Sequence, residues 1–251
     1  MKHVNNIIVA KFGSELVTSG DGVDQDKINS YAEGLITTYR PSQLIIVSSG
    51  AVNAGRARVT QLNNDLSIIT LSQLGAASIV SAWESAFARF DVLSGGLLVT
   101  HNELQNLHEG PQFMRALDLA LQNNVISIIN ENDALSDTEL MKLAVGGDND
   151  GLAAHIATSL PAAKLLLFTK RGGIVDESGQ LIPIIDAHNT TETEAMLNCR
   201  SLKESTDSVG RGGMISKFQA ARRAAVGGVE TLIAEPSADM RGKNITRFVI
   251  G

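Results

Sequence analysis

The feature that most limits how this chain can fold is a repeated one: short apolar runs, each cut off by polar residues or glycine. The runs are Asn6–Ala10, Leu44–Val47, Leu97–Val99, Val125–Ile129, Leu165–Phe168 and Thr231–Ala234. They are continuous rather than alternating, which predicts strands buried on both faces. Longer segments with helical spacing separate them: Asp24–Tyr39, Leu66–Phe90, Phe113–Asn123, Asn149–Ser159 and Gly213–Val226. Strand alternating with helix predicts an α/β fold with a mainly parallel sheet and helices on both faces. Gly-Gly pairs at 95–96, 146–147, 172–173, 212–213 and 227–228 are read as turns. No internal repeat, low-complexity tract or proline-rich linker breaks the pattern.

With 251 residues and 43% hydrophobic content, the chain can bury one sizeable core. The net charge is −6, and the densest basic cluster, Arg222-Arg223, is too short for a polynucleotide footprint, so no nucleic-acid partner is expected. A single cysteine, Cys199, excludes an intrachain disulfide framework and a cysteine-based zinc cluster. The run Ile7–Ala10 is interrupted at once by Lys11, unlike a signal peptide, and no stretch approaches the roughly 18 apolar residues of a membrane helix. These readings give a soluble, cytoplasmic protein without a membrane partner.

In sheets of this kind ligands bind beyond the carboxyl ends of the strands. The residues there are Lys11-Phe12-Gly13-Ser14, Ser48-Ser49-Gly50-Ala51, Asn130-Glu131-Asn132-Asp133 and Thr169-Lys170-Arg171-Gly172-Gly173. The chain has no P-loop, no dinucleotide-binding glycine fingerprint and no nucleophile elbow. Its five histidines show no metal spacing and read as surface or packing residues. Glycine beside lysine after a buried strand lets amides and fixed charge approach a phosphate, although a plain tight turn has the same composition. Gly210-Arg211-Gly212-Gly213-Met214-Ile215-Ser216-Lys217 opens a predicted helix. Such a segment can wrap phosphates with amides, the helix dipole and an ammonium group; a flexible loop with a solvated lysine is the alternative. Gly147-Asp148-Asn149-Asp150 precedes an apolar helix, where capping alone does not need three polar side chains. Two distant lysines, glycine turns and a carboxylate cluster suit phosphoryl transfer, which depends on positioning and charge neutralisation.

These segments, in this order, resemble glutamate 5-kinase (γ-glutamyl kinase) within the amino-acid kinase superfamily. The run Ile128-Ile129-Asn130-Glu131-Asn132-Asp133 followed by Gly147-Asp148-Asn149-Asp150 is the most specific part. The resemblance covers nearly the whole chain and implies an open three-layer α/β/α sandwich. It implies one amino-acid kinase domain over residues 1–251, with acceptor bound by about 1–158 and nucleotide by about 159–251, and no C-terminal RNA-modification-like (PUA) domain. Lys11 and Lys217 would stabilise the phosphoryl group in flight, with Asp150 holding both. Ser49, Gly50, Ala51, Asp133 and Asn149 would bind the acceptor. Gly13, Ser14, Thr169, Lys170, Gly210, Arg211, Gly212, Gly213, Met214, Ser216 and Lys217 would line the nucleotide side. The implied reaction converts L-glutamate and MgATP, with ATP and Mg²⁺ as cofactors, to γ-glutamyl 5-phosphate, the first step of proline biosynthesis. A dimer or tetramer, and metabolic coupling to glutamyl-phosphate reductase, are implied as well; no metal-binding side chain is.

The chain departs from the family pattern at several places. Lys170 stands where the family has an aspartate, Arg211 where it has threonine, and Glu15 where a small polar residue is usual. Gln73-Leu74-Gly75-Ala76 and Gln112-Phe113-Met114 also differ. Two other readings therefore stay open: a kinase of this fold with another small acceptor, and a catalytically weak ligand-binding homologue.

Overall fold

The computed structural model describes residues 6–20, 22–40, 43–59, 66–135, 149–160, 162–194, 196–197 and 213–251. The chain starts with strand β1 (Ile7–Phe12), short helix α1 (Ser14–Val17) and a small hairpin of β2 (Thr18–Ser19) and β3 (Gly22–Val23). Helix α2 (Gln25–Tyr39), strand β4 (Gln43–Ser48), and helices α3 (Ala51–Val59) and α4 (Ile68–Ala88) follow. Next come β5 (Ser94–Val99), α5 (His101–Gln105), α6 (Glu109–Gln122) and β6 (Ile126–Glu131). The remainder supplies α7 (Asn149–Ser159), β7 (Ala162–Phe168), β8 (Ile184–Asp186), α8 (Met214–Val226), β9 (Glu230–Glu235) and β10 (Lys243–Val249).

Eight strands form one sheet in the order β5-β6-β4-β1-β7-β9-β10-β8. All neighbours from β5 to β9 are parallel; β10 runs antiparallel to β9, and β8 pairs parallel with β10. The predicted mainly parallel sheet between helical layers is therefore borne out. Strand periodicity sends alternate residues to opposite layers even where every residue is buried. Ile7 and Val9 pack with Leu117 of α6, Ile156 of α7 and Phe218 of α8. Ile8, Ala10 and Phe12 pack with Ile28 and Leu35 of α2 and with Ile79 and Trp83 of α4. This division places Lys11 on the α7–α8 side.

Two devices fix the turns at the carboxyl ends of the central strands. The Phe12 ring, just before Gly13, lies 4.9 Å from Trp83, 5.2 Å from Tyr31 and 5.2 Å from Phe168. Trp83 in turn donates its indole N–H to Ser48 Oγ at 3.0 Å, so its one polar atom is satisfied in the core. The second device is a close crossing of α3 on α4. A Cβ at Gly55 would collide with the Leu71 carbonyl oxygen, and one at Gly75 with that of Ala51. Only glycine permits this approach, and it seats the start of α3 directly on α4.

All six predicted strands are present, with edges shifted by a few residues. The Gly95-Gly96 reading is corrected: the pair lies inside β5, not in a turn. A Cβ on Gly96 would meet Val80 Cγ1 at 2.7 Å, so the glycine lets the strand lie close to α4. Among the described residues no helix is long and apolar enough to cross a membrane.

Candidate functional site

The site is built where β1, α7 and α8 converge. Lys11 is the penultimate residue of β1, Asp150 the second residue of α7, and Lys217 lies in the first turn of α8. All three are buried, at 4%, 3% and 9% exposure. Asp150 Oδ1 stands 2.7 Å from Lys11 Nζ, and Oδ2 stands 3.2 Å from Lys217 Nζ. One carboxylate thus holds two ammonium groups contributed by a strand and a helix far apart in sequence. Alanines make the approach of α7 to α8 possible: Ala153, Ala154 and Ala157 share a core with Ala220, Ala221 and Ala224.

The electrostatics follow from this geometry. Burial alone would raise the Asp150 pKa, but the charges of Lys11 and then Lys217 outweigh it and hold the carboxyl below its ordinary value. Burial lowers the Lys11 pKa; Asp150 opposes the shift, and the like charge of Lys217 adds to it. Among the described residues, two ammonium groups thus gather around one carboxylate in a desolvated place. An incoming anion is the natural complement to that arrangement.

The remaining predicted residues fall around this centre. Gly13 follows β1 and caps the start of α1, with Ser14 the first residue of that helix. The Ser49 N–H donates to Phe12 O at 3.0 Å, joining the turns after β1 and β4. Gly50 has φ +115°, a conformation glycine takes without strain, and Ala51 starts α3. Asn149 is buried and engaged at both ends: its Oδ1 accepts the Glu131 N–H at 3.1 Å and its Nδ2 donates to Asn130 Oδ1 at 3.3 Å. It clips the end of β6 to the start of α7. Asp133 is buried in the turn after β6. Thr169 is buried too, and its hydroxyl donates to Gly172 O at 2.9 Å while accepting the Arg171 N–H at 3.1 Å. Lys170 is exposed on that turn. Gly213, Met214 and Ser216 form the start of α8 beside Lys217. Gly210, Arg211 and Gly212, like Gly146, Gly147 and Asp148, lie outside the described residues.

Sequence reasoning quoted Asn130, Glu131 and Glu15 without giving them a role. Asn130 is 1% exposed, and its Nδ2 has no hydrogen-bond partner. Glu131 is buried with Oε1 3.4 Å from His101 Nδ1, so one of the five histidines faces a carboxylate. Glu15 Oε1 accepts the backbone N–H of Lys170 at 3.2 Å. The signal for the first two was their place directly after a buried strand, beside residues that were chosen. Two departures from the family pattern have a packing explanation: Phe113 is buried in the core beneath α6, and Met114 packs against it. Cavities of about 440 Å³ along α4 and about 300 Å³ at the amino ends of β4 and β6 lie away from this centre.

A sequence model of the amino acid kinase family matches residues 6–235, and the chain belongs to that family. Within it, the chain is similar to glutamate 5-kinases. It is 33% identical over 238 residues to that of Acinetobacter baylyi, a match covering 92% of this chain and 62% of the relative. It is 32% identical over 238 residues to that of Pseudomonas syringae pv. syringae, covering 90% and 61%. The chain spans about 62% of the length of the first of these relatives. Among solved structures, a carbamate kinase from Giardia superposes with a TM-score of 0.65 at 14% identity, covering 97% of this chain and 98% of that one. UMP kinase from Ureaplasma parvum gives 0.61 at 13% identity, covering 97% and 99%. At such identities the two structures share the fold.

Proposed function

We propose that this chain transfers the γ-phosphoryl group of MgATP to the side-chain carboxylate of L-glutamate, forming γ-glutamyl 5-phosphate, the first step of proline biosynthesis. The observation that carries the reading is the pairing of Lys11 and Lys217 on Asp150. In the transfer, a carboxylate oxygen of the acceptor bonds to the γ-phosphorus as the bond to the β–γ bridging oxygen breaks, and ADP leaves. The acceptor is already ionised at neutral pH, so no general base is required. What the reaction needs is positive charge set in advance around the equatorial oxygens and the leaving oxygen. Lys11 and Lys217 supply it, and Asp150 keeps both aimed without letting them repel one another apart. The unpartnered Asn130 Nδ2 supports a polar acceptor beside Asn149, since a buried donor without an acceptor is costly.

Magnesium enters as part of the MgATP substrate. Among the described residues no group of three or more histidine, cysteine or acidic side chains is placed to hold an ion. Asp150 already faces two ammonium groups. The same reading places the protein in the cytoplasm as a dimer or tetramer. The acyl phosphate product is labile, which favours prompt consumption by glutamyl-phosphate reductase.

Coupled ADP release with L-glutamate and MgATP, with hydroxylamine trapping the acyl phosphate, tests the assignment. Glutamate-dependent hydroxamate is the expected result. Turnover with aspartate or N-acetylglutamate but not glutamate moves the assignment to another acceptor. Ligand binding without turnover replaces it with a regulatory homologue.

A further inference from the structure

The turn after β7 is held almost entirely from its own half of the sheet. The Thr169 N–H donates to Ala234 O at 2.9 Å, the Gly173 N–H to Asn244 O at 2.6 Å, and the Ile174 N–H to Thr246 Oγ1 at 2.8 Å. The Arg171 N–H stays within the turn on Thr169 Oγ1. The Lys170 N–H is different. It reaches across to the carboxylate of Glu15, 155 residues earlier in the chain. Glu15 is the second residue of α1, just beyond the turn that follows Lys11. Its side chain lies over Gly13, where an added Cβ would find only Glu15 atoms within reach, the nearest at 3.8 Å. Its charge reaches Lys11 and favours the ammonium form there.

We infer that Glu15 is a positioning residue: its carboxylate fixes the turn Thr169–Gly173 against the Lys11 turn and thereby sets affinity for the phosphates of a nucleotide. The inference rests on the kinase reading above for the identity of the ligand. Two consequences of opposite sign follow from one side chain. As an acceptor, the carboxylate makes a charge-assisted bond that ties the two turns together just beyond the strand pairing of Phe12 with Phe168. As a charge, it opposes the positive charge of the Lys11 ammonium, which weakens attraction for a polyanion. Glu15→Gln keeps an acceptor oxygen and removes the charge; Glu15→Ala removes both.

The experiment measures binding of the magnesium complex of a non-hydrolysable ATP analogue by calorimetry, with hydrogen exchange of the Lys170 amide followed in parallel. Glu15→Gln is expected to bind as well as the parent or more tightly, with Lys170 protected. Glu15→Ala is expected to bind about fivefold more weakly than Glu15→Gln, the scale of one neutral hydrogen bond, with Lys170 protection lost. Glu15 is exposed, so both variants should fold; Glu15→Ser provides a second truncation. Equal affinities for the Gln and Ala variants overturn the positioning role, and so does loss of Lys170 protection without loss of affinity. A parent chain that ignores the analogue removes the kinase reading and with it the affinity effect. The tie between the turns is judged separately, by Lys170 exchange alone.

Discussion

At the meeting point of β1, α7 and α8 the charges are buried and hold one another: Asp150 divides its two oxygens between Lys11 and Lys217. One strand away, on the turn after β7, Lys170 and Arg171 are exposed and the backbone is fixed by hydrogen bonds to Glu15, Thr169, Asn244 and Thr246. In the first region, removing the shared carboxylate would strand two ammonium groups in a desolvated place. In the second, side chains can change while the turn keeps its shape. Two of the departures from the family pattern, Lys170 and Glu15, meet at the second region, while Lys11, Asp150 and Lys217 in the first keep the residues of that pattern.

The contrast can be broken by mutation, and the largest effect should come from its centre. Asp150→Ala leaves two buried ammonium groups facing each other; it should cost about 3–5 kcal/mol in urea unfolding and abolish measurable phosphotransfer. An unchanged unfolding midpoint would mean the site is wetter than its burial indicates. Lys11→Met keeps the volume and leaves Asp150 paired with Lys217 alone. Turnover should fall about 10²–10³-fold, the effect of removing one preorganised electrostatic contact, while stability stays within about 1 kcal/mol. A matching loss of stability would make Lys11 structural.

Acid provides a sharper discrimination. Because the folded Asp150 pKa lies below its unfolded value near 3.8, the unfolded chain binds more protons between the two values. The carboxylate's stabilisation is therefore full above about pH 4 and fades as the pH falls through the folded pKa. Asp150→Asn should flatten that part of the stability–pH curve; a variant with the parental acid limb refutes the assignment. Lys11 acts at the other end: its folded pKa is also depressed, so the cost of burying its ammonium is relieved as pH rises toward 10.5. The smallest effect belongs to the outer turn. Lys170→Ala should change stability by no more than about 0.5 kcal/mol and leave kcat intact, with any change confined to KM for MgATP.

Much of the sheet was legible because its central strands are buried on both faces, so each appears as an unbroken apolar run. The strands that were missed have another character. β10 is half exposed, with Thr246 and Phe248 buried between exposed neighbours, and β8 is three residues long at the sheet edge. Helix α3 was missed as an element because Gly55 and the arginines Arg56 and Arg58 weaken its apolar periodicity; its fit to α4 depends on absent side chains, which leave no hydrophobic signal. Lys11 was legible from its place at a strand end, Asp150 and Lys217 from theirs at predicted helix starts, and all three from the family resemblance. The Glu15 contact was not, since no local pattern links a residue in the first turn of the chain to an amide beyond β7. Nor could sequence show that Asn149 has both ends of its amide engaged by β6.

The division of one carboxylate between two lysines also bears on how the protein is made. Lys11 leaves the ribosome early; the residue that neutralises it comes much later, and Lys217 follows Asp150 by a further 67 positions. Until α7 docks, β1 cannot bury that ammonium without a heavy desolvation penalty, so the central strand has reason to stay loosely assembled during synthesis. On the proposed reading, competence for phosphoryl transfer arrives only once α8 has been made, and a fragment ending before Lys217 should lack it.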